Sequence, residues 1–147
     1  MLTALAMSTV LVLATIFLHF AVLKALAERI NDTDRPLTRP LISVLLVLFA
    51  THLTEVLMFA AGFQVLDLAG AGFVSPTGSQ THLDFFDLFY FSISSYTTLG
   101  VGDIVPHGGV RLLAGIEALN GLLLIAWSAS FTYLMMERLW SGDKQDG

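Results

Sequence analysis

Three long apolar runs, Leu2–Ala27, Leu41–Phe63 and Gly109–Leu139, constrain this chain more than anything else in it. A helix needs ~20 such residues to cross the hydrocarbon layer of a bilayer. Within that layer only helices and closed barrels satisfy their own backbone groups. Each run is long enough, so the expected fold is an all-α membrane protein with three spans. Composition agrees: 55% of residues are hydrophobic and 13% charged, about half the charged share of a soluble domain. A signal peptide would open on positive charge and carry a shorter apolar core. The first cation here is Lys24, at the far end of the first run, so that run is read as a retained helix. The absence of cysteine excludes disulfides, thiol catalysis and thiolate metal sites. A net charge of −5 offers nucleic acid no basic face.

The segments between the runs divide the chain into residues 1–40, a helix with its linker, and residues 41–147. The linker Glu28–Pro40 is polar, and Asp32, Asp34, Pro36 and Pro40 break any helix crossing it. After the second run, residues 64–83 hold Ala69-Gly70-Ala71-Gly72 and Ser75-Pro76-Thr77-Gly78. They read as an exposed loop with a short helical piece around Val65–Leu68. Asp84–Tyr96 is too short to span. Asp84 and Asp87 suit the positive end of a helix dipole, and the apolar Leu88-Phe89-Tyr90-Phe91 and hydroxyl-rich Ser92–Tyr96 follow. The reading is a short helix that enters the membrane and stops partway. Lys24, Arg29, Arg35 and Arg39 cluster at the linker, and Arg138 and Lys144 follow the third run. By the positive-inside rule both clusters are cytoplasmic, so the N-terminus and residues 64–110 lie outside and the C-terminus inside.

Immediately after that short helix stands Thr97-Thr98-Leu99-Gly100-Val101-Gly102-Asp103. Glycines at alternate positions allow backbone conformations closed to other residues. Rings of backbone carbonyls can replace the hydration shell of a potassium ion. The tetrapeptide Gly100-Val101-Gly102-Asp103 alone is weak, because it is also the signature of intramembrane aspartyl proteases. Those enzymes need a second aspartate inside another span. The first span has no acid before Glu28 and the second has no aspartate, which sets the protease aside.

The whole run from Tyr90 to Asp103, followed by Pro106, resembles the pore helix and selectivity filter of the potassium-channel superfamily. It is most similar to small bacterial pore-loop channels often grouped with the two-pore-domain type, and the likeness covers about residues 84–139. The resemblance implies a homotetramer in the bacterial inner membrane, surrounded by lipid, with an outer helix at about 41–63, a pore helix at about 84–96, a filter at 97–103 and an inner helix at about 109–139. It implies K+ held at Thr98, Leu99, Gly100 and Val101, with Gly102 adding its carbonyl and Thr98 its hydroxyl. Thr97, Ser94, Asp103 and Glu117 would support the filter. Gly121 would be a hinge, and Leu122, Ile125, Ala129 and Tyr133 would line the cavity. Such a protein makes and breaks no bond, needs no cofactor beyond the permeant ion and is not an enzyme. Val101 departs from the family, whose commonest residue there is a tyrosine that braces the filter. Valine has no donor, and neither has nearby Phe91. A weakly selective cation channel and a non-conducting subunit of another channel are the alternatives.

Away from the span ends, four ionisable residues fall inside the spans: His19, His52, Glu55 and Glu117. A charge at midspan costs roughly 2.5–3.5 kcal/mol on insertion scales, so each needs a reason. His19 reads as a hydrogen-bonded structural residue. His52 and Glu55, three apart, share a helix face; the spacing can bind metal, but further ligands are needed. Glu55 and Glu117 lie at matched depth, ~12 Å from the outer surface. Either they hydrogen-bond Ser94, Ser95 or Tyr96 and hold the filter, or His52, Glu55 and Glu117 form a proton-sensing cluster behind it. Asp67, Asp84, Asp87 and Asp103 would gather cations at the outer mouth, with capping by Asp84 and a strut at Asp103 as compatible roles. Trp127 is expected to pack and Trp140 to anchor at the interface.

Overall fold

The computed structural model describes residues 1–31, 38–79, 81 and 83–142. Its elements are α1 (Leu2–Asn31), α2 (Thr38–Leu68), β1 (Val74–Pro76), α3 (Phe85–Tyr96), β2 (Ile104–Pro106) and α4 (Val110–Gly142). Among the described residues, α1, α2 and α4 are long and apolar enough to cross a membrane. The chain is an all-α membrane protein. The 12-residue α3 extends only ~18 Å, well short of a ~30 Å hydrocarbon core.

Two apolar clusters fix how the long helices run. At one end Ala4 and Leu11 of α1 meet Phe59, Phe63 and Leu66 of α2, Val110 and Leu113 of α4, and Leu88 and Phe91 of α3. At the other end Leu23 and Leu26 meet Val44, Leu48 and Met135. The start of α1, the end of α2 and the start of α4 therefore share one end of the bundle, and successive long helices are antiparallel. The chain between α2 and α4, α3 included, is confined to that end.

Local chemistry explains the boundaries. Pro40 does not break the chain into linker and span; it sits in the first turn of α2, where a missing N–H costs nothing. The far end of α2 also runs further than expected, taking Val65–Leu68 into one continuous helix. Gln64 and Asp67 are polar without being helix breakers, and the helix stops only at Gly70, in the left-handed region at φ 66°. There the Ala71 N–H reaches the Leu66 carbonyl and the Gly70 N–H reaches that of Asp67, both at 2.9 Å, the paired bonds of a Schellman cap. Asp84 caps α3, its carboxylate accepting from the Asp87 N–H at 2.9 Å.

The segment 64–83, read as an exposed loop, instead folds back. β1 pairs antiparallel with β2, Val74 opposite Pro106 and Pro76 opposite Ile104. Val74 and Ser75 are buried. The doubling back depends on Gly72, at φ 150°, where a methyl group would stand 2.3 Å from the His107 carbonyl. Asp32, Asp34, Arg35, Pro36 and Lys144 lie outside the described residues, as do the side chains of Arg39, Arg138 and Trp140.

Where α4 crosses the end of α3, Gly121 touches main chain. A methyl group there would lie 2.2 Å from the Tyr96 carbonyl oxygen, whereas one on Gly115 would meet nothing within 4 Å. Overpacking of this kind costs roughly 1–3 kcal/mol. Gly121→Ala should therefore lower the melting temperature of detergent-solubilised protein, and Gly115→Ala should leave it unchanged or raise it through better helix propensity.

Candidate functional site

The segment that leaves α3 has an unusual backbone. Thr98, Gly100 and Gly102 have φ of 58°, 56° and 85°, and Thr98 is the one non-glycine residue with positive φ among those described. Leu99 and Val101 between them keep negative φ, so the hand of the chain changes at every residue. In a regular strand successive carbonyls point to opposite sides; a change of hand at each step removes that alternation. A non-glycine residue in the left-handed region costs about 1–3 kcal/mol and persists only when its surroundings enforce it.

Those surroundings are the last turns of α3 and the chain around β1. The Thr98 N–H donates to the Ser95 carbonyl at 2.9 Å and the Gly100 N–H to that of Ser94 at 3.2 Å. The Val101 N–H donates to Ser94 Oγ at 3.3 Å. From the other side Thr77 supplies its hydroxyl to the Gly102 carbonyl at 2.6 Å and its N–H to the Asp103 carbonyl at 2.8 Å. Asp103 Oδ1 accepts from the Ile104 N–H at 3.0 Å. The Tyr90 phenol is held above its ordinary pKa by desolvation and by its hydrogen bond to the Asp103 carboxylate. Leu99 and Val101 turn their side chains outward and are exposed.

Behind α3 lies a ring of polar side chains drawn from all four helices. His19 Nδ1 is 2.9 Å from Glu55 Oε1, and Tyr96 Oη bonds Glu55 Oε2. His52 Nδ1 lies 2.8 Å from Tyr96 Oη and 3.1 Å from Glu55 Oε2. The circuit closes through Ser128 Oγ, 3.0 Å from both His52 Nε2 and His19 Nε2. The Ser128 hydroxyl has one proton to give, so it donates to one imidazole and accepts from the other. Two proton arrangements complete the ring: a carboxylic acid with two neutral imidazoles, or a carboxylate with one imidazolium. Both have zero net charge and hold the same number of protons.

Glu117 stands apart from this ring. It lies within hydrogen-bonding distance of Ser92 Oγ, which is also 2.8 Å from the Val56 carbonyl. One serine proton cannot serve both acceptors, so both bonds form when the Glu117 carboxyl donates to Ser92. Its second oxygen, and Asn120 Oδ1, have no partner among the described residues.

One of the two readings of the sequence puts His52, Glu55 and Glu117 in one cluster; the structure joins the first two to His19 and sends Glu117 to Ser92. Tyr96 is the expected hydroxyl partner of Glu55. His19, Glu55 and His52 offer ligand atoms within 4.8 Å of one another, yet every one of these atoms is already hydrogen-bonded in the ring. Phe91 packs edge-on against Phe63, and the phenol beside Asp103 belongs to its neighbour Tyr90. Gly121 makes a close approach to Tyr96, and Trp127 packs over His19 and Phe20. Leu122, Ile125, Ala129 and Tyr133 lie on the exposed surface of α4. Thr77, Ser92 and Ser128 are not singled out by the sequence, because each stands close to other hydroxyl residues.

The Ion channel family profile matches residues 51–138, and the chain belongs to that family. The resemblance to the potassium-channel superfamily is thereby borne out. Potassium channel subfamily T member 1 of Homo sapiens is 32% identical over 123 residues, which is 80% of this chain and 9% of the relative. The Mus musculus protein of that name is 30% identical and the Gallus gallus protein 32%, over the same shares. The chain thus spans less than a tenth of these relatives' length. No solved structure matches it.

Ser128 is the one proton donor standing between two ring nitrogens. Ser128→Ala strands at least one of them in a buried site, at a cost of roughly 1–3 kcal/mol. The exposed Ser130, bonded only to the Ala126 carbonyl, is the control. Thermal denaturation should fall for Ser128→Ala and stay at the wild-type value for Ser130→Ala.

Proposed function

We propose that this chain forms a homotetrameric potassium channel whose ions pass through rings of carbonyls from Thr98 to Gly102. The observation that carries the reading is the alternating hand at Thr98, Gly100 and Gly102, a backbone that can turn consecutive carbonyls toward one axis. Potassium would be held at Thr98, Leu99, Gly100 and Val101, with the Thr98 hydroxyl at the inner end. In this arrangement α2, α3 and α4 are the outer, pore and inner helices. Ions move passively by partial dehydration and mutual repulsion between neighbouring sites.

Assembly accounts for exposure that a lone subunit leaves unexplained. Leu99 and Val101 are 68% and 53% exposed in the single chain and would be covered by neighbouring subunits around a fourfold axis. Leu122, Ile125, Ala129 and Tyr133 would face the cavity below. Thr97, Ser94, Asp103 and Glu117 would hold the filter and its helix, and Gly121 would serve α4 as packing contact and bending point. The filter's outer end, the N-terminus and Asp84, Asp87 and Asp103 would face outward, with the chain in the inner membrane of a bacterium. The names of the subfamily T relatives agree with potassium as the ion. Gly100 has open space around it but φ of 56°, so alanine there is strained rather than blocked. Proteoliposomes of the purified chain should release potassium far faster than sodium, and Gly100→Ala should abolish the release. Equal rates for both ions would make this a weakly selective cation channel, and no flux from assembled tetramers would favour a non-conducting subunit.

A second reading, proton control, is favoured by the closed ring of His19, Glu55, Tyr96, His52 and Ser128. The groups that face one another there are His19 from α1, His52 and Glu55 from α2, Tyr96 from α3 and Ser128 from α4, with Glu117 of α4 nearby on Ser92. Removing one proton breaks a link and leaves a net negative charge in the apolar layer. Because Tyr96 leads directly into Thr97 and Thr98, flux should change with pH, and Glu55→Gln should flatten that dependence. PH-independent flux in the wild type would reduce the ring to structure.

A further inference from the structure

The inner half of the filter segment is held by α3, through the bonds of Thr98, Gly100 and Val101 to Ser94 and Ser95. The outer half is held differently. Behind it lies a cavity bordered by Tyr90, Ser94, Gly102, Asp103 and Ile104, and Val101 has no donor to reach across. The Gly102 and Asp103 carbonyls are gripped instead by one residue, Thr77, through its hydroxyl and its N–H.

Thr77 is well placed to grip. It directly follows β1, whose register with β2 ends at Pro76 opposite Ile104. Val74 and Ser75 are buried. Ser75 Oγ lies 2.9 Å from His107 Nε2, and the His107 ring stacks on Phe73 with centroids 4.8 Å apart. The Thr77 hydroxyl is thus carried on a pinned strand, while its target, Gly102, is at φ 85°, where glycine rotates with little steric penalty. A carbonyl oxygen has two lone pairs; the hydroxyl takes one and leaves the other for an ion.

We propose that Thr77 is a positioning residue that determines selectivity: its hydroxyl locks the Gly102–Asp103 peptide and so sets the outermost ion position. The inference rests on the channel reading above. It places in the segment before the pore helix the bracing that the filter's own Val101 cannot supply. Tyr90, acting on Asp103, holds the flank of the same peptide but not the Gly102 oxygen.

The test compares wild type, Thr77→Val and Thr77→Ser as assembled chains in proteoliposomes, reading sodium and potassium efflux separately. Valine keeps the shape of threonine and removes the hydroxyl; serine keeps the hydroxyl. Loss of one such hydrogen bond should raise the sodium-to-potassium ratio roughly threefold to tenfold in Thr77→Val, with Thr77→Ser at the wild-type ratio. Loss of all flux in the valine variant alone would support the same role. An unchanged ratio in Thr77→Val, or equal changes in the valine and serine variants, would overturn the inference while leaving the channel reading intact. A wild-type chain that carries no potassium would overturn both.

Discussion

A backbone whose carbonyls are to face an ion must be held by everything except those carbonyls. From Thr98 to Val101 the segment meets that requirement through its N–H groups, three of which point back at Ser94 and Ser95; Gly102, whose carbonyl gives one lone pair to the Thr77 hydroxyl, is the exception. The end of α3 is therefore the template for the segment, and α3 must itself be immobile. Its start is capped by Asp84, its apolar face is sunk among Phe59, Phe63 and Leu113, and its last residue lies against Gly121 with no room for a side chain. The left-handed Thr98 then becomes tolerable, because the bonds on either side leave it no alternative.

Anchoring α3 from behind requires polar groups inside an apolar layer, where each unsatisfied one is expensive. The solution is closure. Five side chains from four helices form a ring in which the protons can be arranged so that each donor meets an acceptor, at zero net charge. A buried ion pair alone is often no better than a well-packed apolar pair. A neutral closed ring avoids much of that penalty and also fixes the rotation of α1, α2 and α4 about the end of α3. Rigidity at the end of α3 then follows from this arrangement.

Much of this architecture is written in local sequence. The spans follow from run length, α3 from the placement of Asp84 and Asp87 before an apolar stretch, and the special backbone from Gly100 and Gly102. What was hidden depends on contacts far apart in sequence. His19 and Glu55 are 36 positions apart, and nothing local says that a histidine midway along α1 faces the second helix. The three-residue strands β1 and β2 carry too little pattern to be seen, and they exist because Gly72 lets the chain approach His107. Tyr90 and Phe91 are adjacent on a helix, ~100° apart in direction, so a small change in helix rotation decides which one meets Asp103.

The first helix is the element that resemblance left without a role, since the likeness begins near residue 84. Packing gives it one. It supplies His19 to Glu55 and Ser128 and Thr15 Oγ1 to Asn120 Nδ2 at 3.0 Å, and its Ala4 and Leu11 complete the apolar cluster beneath α3. Without it, Glu55 would lose one partner, Ser128 one of two and Asn120 its bonded oxygen, all within the apolar layer. These are costs that lipid cannot offset, because hydrocarbon neither donates nor accepts hydrogen bonds. The first helix is thus part of the structure that holds α3 and the segment after it in place. A chain that places a glutamate behind a short buried helix needs a polar partner to close around it, and here α1 brings that partner.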